Sequence, residues 1–331
     1  MNHIVIIGSG SLGTAFAAAL TQTGRRISLW GRDPETIREI AEQRTNNHYL
    51  PGVKLPEGFV ATTDRAVWGQ ADVLLLAVPS RAFRSVCQEI SSTVLKPGCV
   101  TLSGTKGIEL QTGMRMSEVL KEVFPEHSAA VISGPSHAEE VARSVATALV
   151  IGSPDEAVAL ALQDLFTLPW LRSYTSNDVV GIEIGGTVKN IVAIAGGIVD
   201  GLGLGDNAKA ALVTRGLAEM VRIGVSMGAR PETFMGLSGV GDLMVTCFSD
   251  HSRNTRFGRM LGQGLSLAEA QQRMNMVAEG VPNSESVYHF ARKHDIRTPV
   301  VDLLHDLIQG RLEIHDAARR LLSRSPRPEL D

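Results

Sequence analysis

The chain has 331 residues, 44% of them hydrophobic and 20% charged, with a formal net charge of −3. This is the balance of a globular protein long enough for two domains, and it excludes a global basic field for nucleic acid or an anionic membrane. Three widely separated cysteines, Cys87, Cys99 and Cys247, exclude a disulfide framework, show no metal-ligand spacing and suit a reducing cytoplasm.

The first element is a strand, "HIVIIG" (3–8), and the opening "MNHIVIIGSG" has no basic region of the kind that precedes a signal peptide. Near-continuous apolar runs follow at 26–31, 72–79, 99–104, 129–135 and 147–152, separated by amphipathic helical patterns at 11–23, 34–44, 80–94, 112–123 and 155–166. Buried parallel strands read this way, and the alternation predicts an α/β fold with a Rossmann-like, doubly wound sheet. Between the first strand and first helix lies "GSGSLG". Gly8 would make the tight turn, Gly10 would let the backbone approach a pyrophosphate, and Gly13 would pack helix on strand. The N–H groups around Ser11 and Leu12 would face that anion at the positive end of the helix.

The second strand ends in "LWGRD", with Gly31 where a carboxylate could bind the ribose 2′-hydroxyl of NAD. Asp33 precedes Pro34 and reads as the cap of the next helix. Arg32 therefore favours the 2′-phosphate of NADP(H), with NAD(H) also open.

After residue 180 strand signals stop and helices succeed one another, in "DNAKAALVTRGLAEMVRIGVSMG" (206–228) and at about 255–263, 266–274, 283–294 and 299–309, with Asp206 or Asn207 as cap of the first. This predicts a dinucleotide-binding domain over 1–180, an all-α C-terminal domain over 181–320 and a flexible tail over 321–331. The helix "EIGGTVKNIVAIAGGIVDGL" (183–202) opens the second domain and carries Lys189 and Asn190 in an apolar setting. A buried lysine is costly unless it pairs or does chemistry. Glu183 is poorly spaced to pair with it along the helix, whereas Glu219 could reach it from another helix. Glu183, Lys189 and Asn190 also break the run that comes nearest to a membrane span, so no membrane insertion is expected.

Other polar groups stand out against glycine or apolar surroundings. Lys106 in "SGTKGIE" and Gly134 and Ser136 in "ISGPSHAEE" follow the ends of strands, where open α/β sheets bind ligands. Asp242 sits in a glycine turn, and Ser252, Arg253 and Asn254 precede a helix. A lysine with a lowered pKa can exchange a proton with an alcohol or ketone oxygen, a second lysine can polarise that carbonyl, and an arginine at a helix N-terminus can cradle phosphate. Together these suggest interconversion of a small phosphorylated ketone and its alcohol.

The motifs "GSGSLGTAFA", "NNHYLPGVKLP", "VPSRAFR", "GTKGIE", "ISGPSHAEEV", "GGTVKNIVAIAGGIVDGLGLGDNAKAALVTRGL", "GVGDLMVTCFSDHSRN" and "AEGV" occur in order over residues 3–310. In these the chain closely resembles the bacterial type of NAD(P)-dependent glycerol-3-phosphate dehydrogenase. The resemblance implies interconversion of dihydroxyacetone phosphate and sn-glycerol 3-phosphate for phospholipid synthesis in the cytoplasm. It makes Lys189 the proton donor and acceptor, and has Lys106 touch both nicotinamide and substrate. Asp242, Ser252, Arg253, Asn254, Gly134 and Ser136 line the substrate pocket, and Asn190 gains an orienting role there. Ser11, Leu12, Arg32, Tyr49, Ala138, Val277 and Glu279 become cofactor contacts, with Arg253 shared. A homodimer is compatible with this reading. The competing readings are a β-hydroxyacid or ketopantoate-type reductase, which "DHSRN" and "TKGIE" disfavour because they suit a phosphate, and a non-catalytic nucleotide sensor.

Overall fold

The computed structural model describes residues 1–274 and 278–322. Eight strands form one sheet in the order β3-β2-β1-β4-β5-β6-β7-β8. They are β1 (His3–Ile7), β2 (Arg26–Trp30), β3 (Phe59–Thr62), β4 (Val73–Leu76), β5 (Val100–Ser103), β6 (Ala129–Ser133), β7 (Thr147–Gly152) and β8 (Leu171–Ser176). The central β1 is buried along its whole length and pairs in parallel with β2 (Ile4 opposite Ile27) and with β4 (Ile4 opposite Val73). Order reverses beside β1, the switch point at which doubly wound sheets open a ligand crevice.

Two strands escape the sequence pattern, and both lie at sheet edges. β3 is four residues long with Val60 exposed, and β8 alternates buried Leu171 and Ser173 with exposed Arg172 and Tyr174. Half-covered edge strands lack the continuous apolar run that marks the central ones. The sheet is doubly wound as expected and parallel except at one pairing, where the segment 147–152, read as a parallel strand, runs antiparallel to β6 as β7. Only the five-residue α5 (Ala138–Ala142) lies between those strands, too little helix for the usual parallel crossover.

Helices cover both faces. On one side α1 (Ser11–Leu20) and α6 (Glu156–Leu165) meet the sheet, with Phe16 edge-on to Phe166 at 5.5 Å. On the other, α3 (Phe83–Ser91) and α4 (Met116–Val123) cover Trp30 and Trp68, whose rings meet at 5.0 Å. As expected, Asp33 caps α2 (Pro34–Arg38), accepting from the N–H of Glu35 and of Thr36.

The helical domain is built around α7 (Val179–Gly201), which is buried from Gly181 to Val199 and capped by Asp178. Among the described residues only α7 is long and apolar enough to cross a membrane, and it is sheathed by neighbouring helices. These include α8 (Asp206–Ser226), α9 (Asp242–Phe248), α10 (Arg253–Gly262), α12 (Gly280–Lys293) and α13 (Pro299–Ile308). α7 and α10 touch backbone to backbone. A Cβ on Gly197 would lie 2.1 Å from the Thr255 oxygen, and one on Gly258 would lie 2.0 Å from the Ile194 oxygen. The cap expected at Asp206 or Asn207 is instead Gly205, with no side-chain bond. α11 (Leu267–Arg273) lies where expected, whereas α14 (Ile314–Leu322) was not foreseen and runs into the expected tail, whose remainder lies outside the described residues.

Candidate active site at the domain junction

At the dinucleotide end, the three glycines separate by steric role. Gly8 has φ +114°, and a Cβ on it would lie 2.5 Å from the Ala77 oxygen, while a Cβ on Gly13 would lie 2.0 Å from the Gly8 oxygen. A Cβ on Gly10 meets nothing within 4 Å, so the chain is open there, beside the N-terminus of α1. That open backbone at a helix start is what a pyrophosphate needs, and the residues present fit a dinucleotide. Ser11 and Leu12 form the first turn of α1.

The loop is braced by a residue the sequence reading missed. Fully buried Asn46 donates through Nδ2 to the Ser9 oxygen (2.9 Å) and to Thr14 Oγ1 (2.8 Å). This ties "NNHY" to the glycine turn and fixes Tyr49, whose N–H donates to Asn46 Oδ1. At the end of β2, a Cβ on Gly31 would lie 2.5 Å from Ser9 Oγ and 2.8 Å from Ile37 Cδ1, so a side chain there would have to displace both. Exposed Arg32 follows and pairs with Glu89 at 3.4 Å.

The chemical end joins the two domains through one carboxylate. Asp242 is the first residue of α9, not part of a free turn, and is 1% exposed. Its Oδ1 accepts from Lys189 Nζ at 2.5 Å and its Oδ2 from Lys106 Nζ at 2.7 Å. Lys189 also donates to Thr246 Oγ1 at 2.8 Å, one turn along α9. Burial pushes the Lys189 pKa down to about 7; Asp242 opposes this and the Lys106 charge adds to it. Burial would raise the Asp242 carboxyl, but the two ammonium groups together hold it below its ordinary range. The arrangement can therefore hold or release a proton at Lys189 Nζ near neutral pH.

Glu219 is not the partner of Lys189. Its carboxylate receives the N–H groups of Val300 and Val301 at the start of α13. Glu183 instead meets Arg115 (2.7 Å) and the N–H and hydroxyl of Ser117.

Glycine lets α7 approach the loop that carries Lys106. A Cβ on Gly185 would lie 2.3 Å from the Ser238 oxygen, and one on Gly186 would lie 2.9 Å from Ser133 Oγ and 3.3 Å from Lys106 Cγ. Gly134, at φ +120°, turns its carbonyl to accept from Ser136 Oγ (3.0 Å) and Lys106 Nζ (3.4 Å). Asn190 Oδ1 accepts from Asn254 Nδ2 at 3.0 Å, and Asn254 Oδ1 accepts from the Gly280 N–H at 2.9 Å. Ser252 caps α10 through the N–H of Thr255, which puts Arg253 in its first turn. Burial lowers the pKa of Arg253, and Glu139 and Glu279 oppose that shift. Glu279 accepts from Ser80 Oγ (2.9 Å) across the domains, and Ala138 begins α5.

Three further residues belong to this cluster. Thr246 was hidden because α9 itself was unforeseen. His137 Nε2 lies 3.4 Å from the Val245 oxygen, and Asn283 Nδ2 donates to the Lys106 oxygen at 3.3 Å. Only a three-dimensional contact reveals either. The structure thus gathers Lys106, Gly134, Ser136, Lys189 and Asp242, with Asn190 and Asn254 linked beside them, and leaves Arg32 at the far end of β2. Val277 lies outside the described residues.

Both halves of the chain find counterparts in known proteins. Residues 3–159 match the family model for the NAD-dependent glycerol-3-phosphate dehydrogenase N-terminus, and residues 178–319 match that for its C-terminus. The curated glycerol-3-phosphate dehydrogenase [NAD(P)+] of Geobacillus kaustophilus is 45% identical over 336 residues, spanning 100% of this chain and 97% of the relative. That of Carboxydothermus hydrogenoformans is 44% identical, over 99% and 98% respectively. The crystal structure of glycerol-3-phosphate dehydrogenase from Coxiella burnetii superposes with TM-score 0.94 at 38% identity, covering 98% of this chain and 99% of that one. A ketopantoate reductase from Ralstonia eutropha, at 17% identity and TM-score 0.62, shares the fold alone. With both halves matched in order and full-length relatives this similar, the chain belongs to the NAD-dependent glycerol-3-phosphate dehydrogenase family.

Proposed function

We propose that the chain interconverts dihydroxyacetone phosphate and sn-glycerol 3-phosphate with NADP(H) or NAD(H), in the cytoplasm, and so supplies the head-group alcohol of glycerophospholipids. The division of labour falls at about residue 180, with the cofactor held mainly before it and the acid–base and phosphate groups supplied mainly after it. The observation that carries this reading is the Asp242 carboxylate shared by Lys189 and Lys106 beside the capped start of α10.

A bound nicotinamide supplies or accepts the hydride at the substrate's C2. The chain's own groups then do the rest. The glycine turn and α1 would bind the pyrophosphate at Gly10, Ser11 and Leu12, with Gly8 shaping the turn and Gly13 packing the helix on the strand. Tyr49, Ala138 and Glu279 bound the cofactor further along, and Arg32 takes the ribose phosphate end. Arg253, Ser252 and Asn254 hold the substrate phosphate at a helix N-terminus. Lys189 Nζ gives a proton to the carbonyl oxygen during reduction and takes one from the hydroxyl during oxidation. Lys106 stabilises the developing negative charge on that oxygen. Asp242 keeps the two lysines in register, while Gly134, Ser136 and Asn190 orient the pocket wall.

The test is oxidation of NADPH and NADH in the presence of dihydroxyacetone phosphate, with ketopantoate as the rival substrate. Turnover of the phosphorylated ketone is expected, falling at least about a hundredfold in Lys189→Ala with the fold intact. Faster turnover of ketopantoate would overturn the assignment of substrate. Undiminished turnover in Lys189→Ala would overturn that of the acid–base group.

A further inference from the structure

β2 and β3 end side by side, Trp30 opposite Thr62, and the Gly31 N–H donates to the Thr62 oxygen at 3.2 Å. An arginine follows each strand, Arg32 and Arg65, with side chains 71% and 63% exposed. Both guanidiniums converge on a single carboxylate, Glu89 of α3, which is 25% exposed. Arg32 reaches Oε2 at 3.4 Å and Arg65 pairs with Oε1. The Arg65 guanidinium also lies over the Trp68 ring, 5.5 Å from its centroid. Glu89 thus gathers both arginines just past the ends of β2 and β3, next to the turn whose Ser9 Oγ crowds Gly31.

Exposed ion pairs add little to stability, and ordering three long side chains costs entropy. The cluster instead has the charge pattern of a selective anion site. A carboxylate at the end of β2 would favour the ribose 2′-hydroxyl, and arginines favour a 2′-phosphate. Here Gly31 carries no such carboxylate, but Glu89 brings one in from α3, between two arginines.

We propose that Arg65 and Glu89 set the choice between the two cofactors. Arg65 joins Arg32 in binding the 2′-phosphate of NADP(H), drawing both guanidiniums off Glu89. With NAD(H), the Glu89 carboxylate accepts the 2′-hydroxyl and the arginines stay paired to it. One cluster then serves both cofactors in opposite senses of charge. The inference rests on the reading of Arg32 as the arm at the ribose phosphate end.

Dissociation constants for NADPH and NADH, measured by calorimetry on the full chain without substrate, test it. Arg65→Ala is expected to weaken NADPH by about tenfold and leave NADH within about twofold. Glu89→Gln is expected to move the ratio the other way, weakening NADH while NADPH binds as well or better. Melting temperatures should stay near that of the parent chain, since all three side chains reach solvent. Equal loss of both cofactors in Arg65→Ala, or no loss of either, overturns the proposal, as does an unmoved ratio in Glu89→Gln. Arg32→Ala separates the two levels. If it alone weakens NADPH, Arg65 and Glu89 are excluded and the reading of Arg32 stands; if it too leaves NADPH unchanged, that reading falls as well.

Discussion

Lys189 sits between an opposite charge and a like one, and its proton affinity is the balance of these with burial. Burial and the Lys106 ammonium pull its pKa down, and Asp242 holds it up, leaving it at about 7. Reduction of the ketone needs the protonated amine, so its rate should fall as pH rises through about 7. Oxidation of the alcohol needs the neutral amine and should rise through the same range. The two neighbours can be removed separately. Asp242→Asn takes away the favourable charge and should shift the limb to lower pH, while Lys106→Met removes the unfavourable one and should shift it upward. Both variants will be slow, by about a hundredfold or more, but the direction of the limb survives a loss of amplitude. Profiles of kcat against pH in both directions read it, and limbs that stay in place in both variants would show that another group titrates. The sequence made Lys189, Lys106 and Asp242 visible because each interrupts an apolar or glycine-rich stretch. It could not pair them, since both lysines are far from Asp242 along the chain and Glu219 could also reach Lys189 from another helix.

Between α7 and α10 the packing depends on having no side chain at all. A Cβ on Gly258 would meet the Ile194 oxygen at 2.0 Å, its carbon at 2.9 Å and the Ile198 nitrogen at 3.0 Å, all of it backbone. Backbone cannot rotate away as a side chain can, so the helices must separate. Gly258→Ala is expected to destabilise the fold by about 2–3 kcal/mol, seen as a lower denaturation midpoint in urea. Because α10 starts at Arg253 and Asn254, separation also moves the groups assigned to the substrate phosphate, and KM for the phosphorylated ketone should rise with it. An unchanged midpoint would mean that the two helices yield without cost. At this scale the sequence was legible where an element is long and uniformly covered: β1, β4, α8 and α13 fall where periodicity puts them. It was illegible where coverage is partial or connection decides direction. β3 and β8 are edge strands with mixed faces, β7 is turned antiparallel by a short helix, and α9 follows glycines that read as a turn and so concealed Thr246.

Across the whole molecule, the two domains are joined by buried polar bonds as well as by apolar contact. Besides Asp242 with Lys106, Glu183 on α7 receives Arg115 Nη1 at 2.7 Å, the Ser117 N–H at 2.8 Å and the Ser117 hydroxyl at 2.6 Å, all from the start of α4. Burial raises the pKa of Glu183, against the opposing pull of Arg115 and Ser117. A carboxylate so enclosed depends on its guanidinium, and removing one member of such a pair typically costs about 3–5 kcal/mol. Arg115→Met should therefore destabilise the chain by roughly that amount near neutral pH. The sign of the pH effect follows from the raised folded-state pKa. The native state binds the proton more tightly than the unfolded chain, so stability is retained below the ordinary glutamate value and lost as pH rises through the folded one. Without Arg115 the folded value climbs further, so the defect should be smaller at about pH 5 than at about pH 8. Adding Glu183→Gln should recover much of the loss, since the amide oxygen can still accept from Ser117. Because the bond spans both domains, unfolding of Arg115→Met followed by far-ultraviolet dichroism and by tryptophan fluorescence should shift as one transition. All three tryptophans precede α7 in the chain, whereas the dichroism also reports the helices after it. Two separated transitions in the parent chain would mean that the domains unfold independently, and that the polar bridge aligns the site without sharing stability between them.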